Sequence, residues 1–353
     1  MKVLVHIGLH KTGSTAIQVM LAANRGRLRR LGINYPEAGF YVVGHHFLGW
    51  KLQSPRHDAM LRKLGCDAAD GESILAAMLE ETRRHGCQAL IVSSETLSSI
   101  QHYDPQRIAD ALRGHDVTVI GYVRRQDRFL ESRYNQGVKS APLGARRFTA
   151  PLEAFIEEEL AGGVIDYEKS FGRWAAAFGR ARVQAHLYER GRLPGGDVVR
   201  HFCGVAGIPE GAVTFDTQDR NPSLDAHSVR FLRRLNRIAL SEAQRRRAVD
   251  LSVQYMRKAG GPTHGFLLGL AEREALLARF AESNRRFCGD FRGDERAMEL
   301  GATEREQLAA LEPDLTRDRF LEILGFVMPE LLKAEAAAAA GTGADGLPKQ
   351  AAR

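Results

Sequence analysis

The stretch VLVHIGLHKTGSTAIQ, residues 3–18, runs from an apolar strand through a glycine turn into a helix. Val3, Leu4, Val5 and Ile7 make a short run rich in β-branched residues, which predicts a buried strand. A helix is expected to open near Ser14 or Thr15, because hydroxyl side chains favour the N-cap and the residues that follow put Ile17, Met20 and Leu21 on one face. Gly8, Lys11, Thr12 and Gly13 lie between. Such a turn directs backbone N–H groups outward at the positive end of a helix, beside a lysine and several hydroxyls. That combination binds phosphate-like anions.

The spacing separates two readings. A Walker A loop places its lysine after the second glycine, whereas here Lys11 precedes Gly13, which disfavours a nucleotide triphosphatase of that type. The order KTGST, residues 11–15, resembles the 5′-phosphosulfate loop of the sulfotransferase family, enzymes that move a sulfuryl group from 3′-phosphoadenosine 5′-phosphosulfate (PAPS) to an alcohol or amine. The resemblance implies a P-loop-like, three-layer α/β fold with a central, mostly parallel sheet and a helical C-terminal portion. It also implies that PAPS, released as the 3′,5′-bisphosphate, is held by His10, Lys11, Thr12, Gly13, Ser14 and Thr15. Lys11 would meet the 5′-phosphate and the bridging oxygen, where charge grows during in-line transfer.

Further apolar runs carry the rest of the reading. ALIVSSETLSS, residues 89–99, ends on polar residues. Ligands gather at the carboxyl ends of strands in an open α/β sheet, so Ser93, Ser94 and Glu95 are delivered to the site that the first loop faces. Glu95 is the candidate general base, with helix capping as its other reading. His46, beside His45 and near Trp50, is the second candidate; this pair either lines an acceptor cleft or opens a helix. DVTVIGYV, residues 116–123, runs into Arg124, and a helix from about Asp127 carries Ser132. An arginine fork with a hydroxyl makes a second anion site. Arg124, Ser132 and Tyr134 resemble the family's 3′-phosphate element, although Arg125 and Gln126 depart from its usual loop. Two anion sites on successive strand ends point to one ligand with phosphate at both ends. ARVQAHLYER, residues 181–190, is a fourth strand, with Glu189 read as structural.

Composition bounds the alternatives. The chain has 353 residues, 44% apolar and 26% charged, with a net charge of +7, as expected of a globular protein with an anionic ligand. The basic residues are not interleaved with aromatics, so nucleic acid is not an expected partner. The N-terminal apolar run is broken by His6, His10 and Lys11, and no stretch is long enough to span a bilayer, which gives a cytoplasmic expectation without membrane insertion. Cys66, Cys87, Cys203 and Cys288 are read as packing residues, with no metal and no disulfide.

One domain is expected over 1–333. Its 222–333 part is mainly helical, with Ser223 as a cap, and offers an acceptor-facing or homo-oligomer surface. An Ala/Gly-rich tail over 334–353 is read as disordered. Tyr167, Phe171, Trp174 and Phe178, at helical spacing, are read as core, and residues 141–163 as a loop followed by a short amphipathic helix, which composition alone does not establish as a cover over an acceptor. Family analogy gives a small-molecule or glycan hydroxyl as acceptor, with a carbohydrate hydroxyl preferred. A P-loop-type phosphotransferase and a non-catalytic nucleotide-binding protein remain as alternatives.

Overall fold

The run that opens the chain becomes the middle strand of a parallel sheet. The computed structural model describes residues 1–140, 148–162, 165–215, 223–238, 240–259, 266–310 and 314–342. Among these, β1 (Lys2–His6), β2 (Ile33–Asn34), β3 (Ala89–Ser93), β4 (Asp116–Val123) and β5 (Val183–Leu187) lie in the order β2-β3-β1-β4-β5. All four pairings are parallel, so the fold is α/β with a parallel central sheet. The two-residue edge strand β2 lies in a segment that reads as loop in the sequence, too short for alternation to register.

The chain divides into two compact units, each built from segments distant in sequence. The first comprises Met1–Phe129, Glu159–Gln218 and Ala275–Leu300; the second comprises Leu130–Glu158, Asp219–Glu274 and Gly301–Arg353.

In the first unit both faces of the sheet are covered, as parallel sheets require. Val3, Val5 and Ile7 of the opening run, with Val117 and Val119, pack against Leu75 and Met78 from the helix Gly71–Arg84 and against Phe171 and Trp174 from the helix Tyr167–Phe178. Phe171 and Trp174 are fully buried, as the aromatic spacing predicts. On the opposite face Ile120 and Tyr122 meet Ile17, Met20 and Leu21 from the helix Ser14–Ala23 and Phe202 from the helix Val198–Ala206. Residues 270–292 form two helices, Leu270–Ala278 and Ala281–Arg292.

The second unit is helical. Its helix Ala226–Leu235 is capped by Asp225, which accepts from the Ser228 amide at 2.7 Å, and not by Ser223. Glu242–Lys258 forms a helix opened by a Ser241/Gln244 capping box. Arg317–Thr342 is helical, so the helix runs nine residues beyond the 333 boundary; 343–353 and 141–147 lie outside the described residues. At the centre of this unit the Glu131 carboxylate accepts from Arg273 at 2.6 Å and from the amides of Leu267 and Leu268. Arg273 is wholly buried, so this ion pair fixes the helices rather than meeting a ligand.

Candidate active site

The first turn is held from within. Thr12 and Ser14 each donate their hydroxyl to the Leu9 carbonyl at 2.7 Å, and both are buried. The resemblance places these hydroxyls on a phosphate, whereas in the structure both donate their protons to the loop's own carbonyl. Lys11 is thereby held at φ 62, a left-handed conformation costing a non-glycine residue ~1–2 kcal/mol. Gly13, at φ 82, precedes the helix Ser14–Ala23, and no side chain caps that helix. The helix therefore opens at Ser14 without a hydroxyl cap; the Ala16 amide donates to the Gly13 carbonyl at 3.0 Å, and the amides of Ser14 and Thr15 stand at the positive end of the helix, where an anion is favoured. Thr15 is exposed there.

The ends of β1 and β4 converge on this turn. Leu9 donates its amide to the Tyr122 carbonyl at 2.9 Å, which carries the β1 pairing past Gly8 and brings the Lys11 turn beside Arg124. Tyr188, just beyond β5, lies between them. A Cβ built on Gly13 would stand 3.0 Å from the Tyr188 ring and 2.6 Å from Val198, while the Arg124 guanidinium carbon lies 5.7 Å from the centre of the same ring. The departure at Arg125–Gln126 closes the loop on itself. Arg125 donates two 2.8 Å hydrogen bonds to the buried Asp127 carboxylate, and the Gln126 and Asn284 amides exchange hydrogen bonds of 2.6 and 3.0 Å. Asn284 is thus tied to the loop. Ser132 is half-buried and belongs to the second unit, as does Tyr134, whose hydroxyl donates to the Ala150 carbonyl. Glu189 pairs with Arg192 at 2.9 Å.

The end of β3 brings the carboxylate. Ser94 caps a short 3₁₀ turn, Glu95–Ser98, by accepting from the Thr96 amide, so capping falls to Ser94 and Glu95 is turned into a cleft. Gly8 makes room for it, since a Cβ there would come within 2.9 Å of Glu95. Gln18 donates to Glu95 Oε2 at 2.8 Å, and His46 Nδ1 lies 3.9 Å from the same oxygen and 3.0 Å from the Ser94 hydroxyl. Burial pushes the Glu95 carboxyl up, but His46, His10, the Gln18 amide and its own backbone amide outweigh this and hold it below the usual carboxylate range. Burial pulls His46 down against the opposing pull of Glu95. At neutral pH the pair is a carboxylate beside a neutral imidazole.

His45 and His46, alike in sequence, part company. His45 is fully buried, with Nε2 donating to the Pro36 carbonyl and Nδ1 accepting from the Ser93 amide, both at 3.0 Å. It is structural. His46 lines a cleft of about 380 Å³ together with His10, Trp50, Arg56, His57, Glu95 and His102. Sequence reasoning missed Gln18, Arg56, His57 and His102. Gln18 reads as one polar position on an amphipathic helix, and the other three fall in loops without periodicity.

Among the described residues no helix is long and apolar enough to cross a membrane. No family model matches the chain. It is similar to an uncharacterized protein of Archaeoglobus fulgidus, 29% identical over 218 residues, which is 62% of this chain and 57% of that protein. The chain thus spans little more than half the length of this relative. The crystal structure of a sulfotransferase from Alicyclobacillus acidocaldarius is similar over 62% of this chain and 86% of that one, at 20% identity and a TM-score of 0.37.

Proposed function

We propose that this protein is a sulfotransferase that moves the sulfuryl group of PAPS to a hydroxyl acceptor. One observation carries the reading: an uncapped helix start with Lys11, the arginine at the end of β4 and the Glu95/His46 cleft all lie at the carboxyl ends of adjacent strands of one unit. In this reading Lys11 and the first-turn amides meet the 5′-phosphate, and Arg124, across Tyr188, meets the 3′-phosphate. Thr12 and Ser14 shape the loop, and Gly13 lets it approach Tyr188.

Glu95 accepts a hydrogen bond from the acceptor hydroxyl. A carboxyl held below its usual range is a weak base toward a free alcohol, but an alcohol oxygen becomes strongly acidic as it bonds to sulfur. Glu95 therefore takes the proton as the new O–S bond forms and the bond from sulfur to the bridging phosphate oxygen breaks, with the electron pair leaving on that oxygen beside Lys11. His46 and Gln18 keep the carboxylate ionised and aimed.

Calorimetric titration with adenosine 3′,5′-bisphosphate, followed by PAPS consumption over a panel of hydroxyl acceptors, tests the reading. Binding of the bisphosphate is expected to exceed that of ATP with magnesium. Glu95→Gln is expected to keep bisphosphate affinity and to lower turnover ~10²-fold or more. Tighter binding of ATP with magnesium would overturn the assignment in favour of a phosphotransferase, and unchanged turnover would move the base to His46.

A further inference from the structure

The cleft above Glu95 has a buried floor and an exposed mouth of different character. At the floor stand Glu95 and His46; at the mouth are Arg56 and His102, both exposed, and the half-buried His57. Trp50 lies between, its ring centre 5.8 Å from that of His46 and 6.3 Å from that of His57. One indole thus separates the carboxylate end from a cluster of three groups able to carry positive charge. Arg56 donates to His102 Nε2, and His57 Nε2 lies 3.3 Å from the Gln53 side-chain oxygen.

The acid next to this cluster is Asp58, whose two oxygens already accept from the Ser54 hydroxyl at 2.9 and 3.0 Å. Burial and then Arg56 hold both His57 and His102 below the usual imidazole range, with Asp58 opposing this at His57. Arg56 brings a fixed positive charge to the mouth, and an anion held there would favour protonation of the two imidazoles beside it, whose cationic forms add N–H donors that suit carboxylate, sulfate or phosphate oxygens.

We propose that the acceptor is an alcohol that already carries an anionic group, with that group held by Arg56, His57 and His102, an apolar face lying on Trp50, and the reacting hydroxyl at Glu95. This rests on the sulfotransferase reading and names the acceptor class for it. No covalent step is added: the anion positions the hydroxyl, and its charge is unchanged by the transfer.

The test uses matched acceptors that differ chiefly in the charge, such as 4-nitrophenyl β-D-glucuronide against 4-nitrophenyl β-D-glucoside, and mandelate against mandelamide. Turnover with PAPS is measured on the full chain, and the bisphosphate is titrated into the same preparation. The anionic member of at least one pair is expected to be favoured in kcat/KM by 10-fold or more. That ratio should shrink toward one in Arg56→Gln and survive in Arg56→Lys. If no anionic member is favoured, including the case in which none is turned over while the bisphosphate still binds, the acceptor proposal fails and the donor assignment stands. If the bisphosphate does not bind, the reading beneath it fails.

Discussion

The turns that follow β1 and β4 are neighbours with the same plan, strand to turn to helix, yet they are built to opposite ends. After β1 the chain spends two hydroxyls to hold Lys11 in a left-handed conformation and leaves the helix start uncapped. After β4 the loop satisfies itself: Arg125 closes on buried Asp127, and Gln126 locks to Asn284. The first is a receptor whose internal bonds serve its shape; the second is a strut from which Arg124 is presented beside Tyr188. Two helix starts at one sheet edge are therefore not two equal anion sites, and removing a charge from each should have different consequences.

The largest effect is expected in the strut. Asp127→Asn leaves the nearly buried Arg125 guanidinium without its carboxylate, which costs about 3–5 kcal/mol when one partner of a buried pair is removed. Urea unfolding should show that loss, with bisphosphate affinity nearly unchanged in the fraction that folds. Lys11→Ala should do the reverse, lowering transfer on the order of 10²–10³-fold, as loss of one preorganised donor to developing charge does. Its unfolding midpoint should change little, because the Thr12 and Ser14 hydroxyls on the Leu9 carbonyl hold the turn. If Lys11→Ala lost stability and kept turnover, the contrast between receptor and strut would be broken. A smaller effect is expected of Arg124→Ala, which should weaken adenosine 3′,5′-bisphosphate by about tenfold while leaving adenosine 5′-monophosphate nearly unaffected, within the range for one charge-assisted hydrogen bond. Equal losses for both ligands would remove Arg124 from the 3′ end.

How far the sequence discloses these features depends on whether a signal is local. The strand–turn–helix at residues 3–18, the burial of Phe171 and Trp174, and the delivery of Glu95 to the end of β3 follow from periodicity and from strand ends, and the structure has them so. The use of the Thr12 and Ser14 hydroxyls was not legible, because a hydroxyl that binds phosphate and one that binds its own loop carbonyl look alike in a string. The same holds for His45 and His46: which imidazole faces the cleft is decided by hydrogen bonds to Pro36 and Ser93, contacts 9 and 48 residues away in the chain. Arg56 and His57 come from one loop and His102 from another, and only the fold joins them.

The end of β3, on which Glu95 stands, rests on neutral imidazoles where the β4 turn rests on an ion pair, and acid separates the two. His6, with Nδ1 2.8 Å from the Ser93 hydroxyl, and His45, accepting from the Ser93 amide, are fully buried and pulled down to about 4 by burial, with smaller opposing pulls from Glu95 on His6 and from the Pro36 carbonyl on His45. In the unfolded chain each would bind its proton near 6.5. Between those values the unfolded state holds more protons, so stability is complete above pH 6.5 and falls as pH drops toward 4. Each histidine contributes a loss of about 1.4 kcal/mol by one unit below the unfolded value. Protonating His45 Nδ1 also removes the acceptor that the Ser93 amide uses. Urea unfolding measured from pH 7.5 to 5.5 should show this fall, and His45→Gln, whose amide can both accept from Ser93 and donate to Pro36, should flatten it by about one histidine's share. An unaltered slope in that variant would mean that the support beneath Glu95 does not depend on the neutral imidazole, and the distinction between the two strand ends would reduce to Lys11 alone.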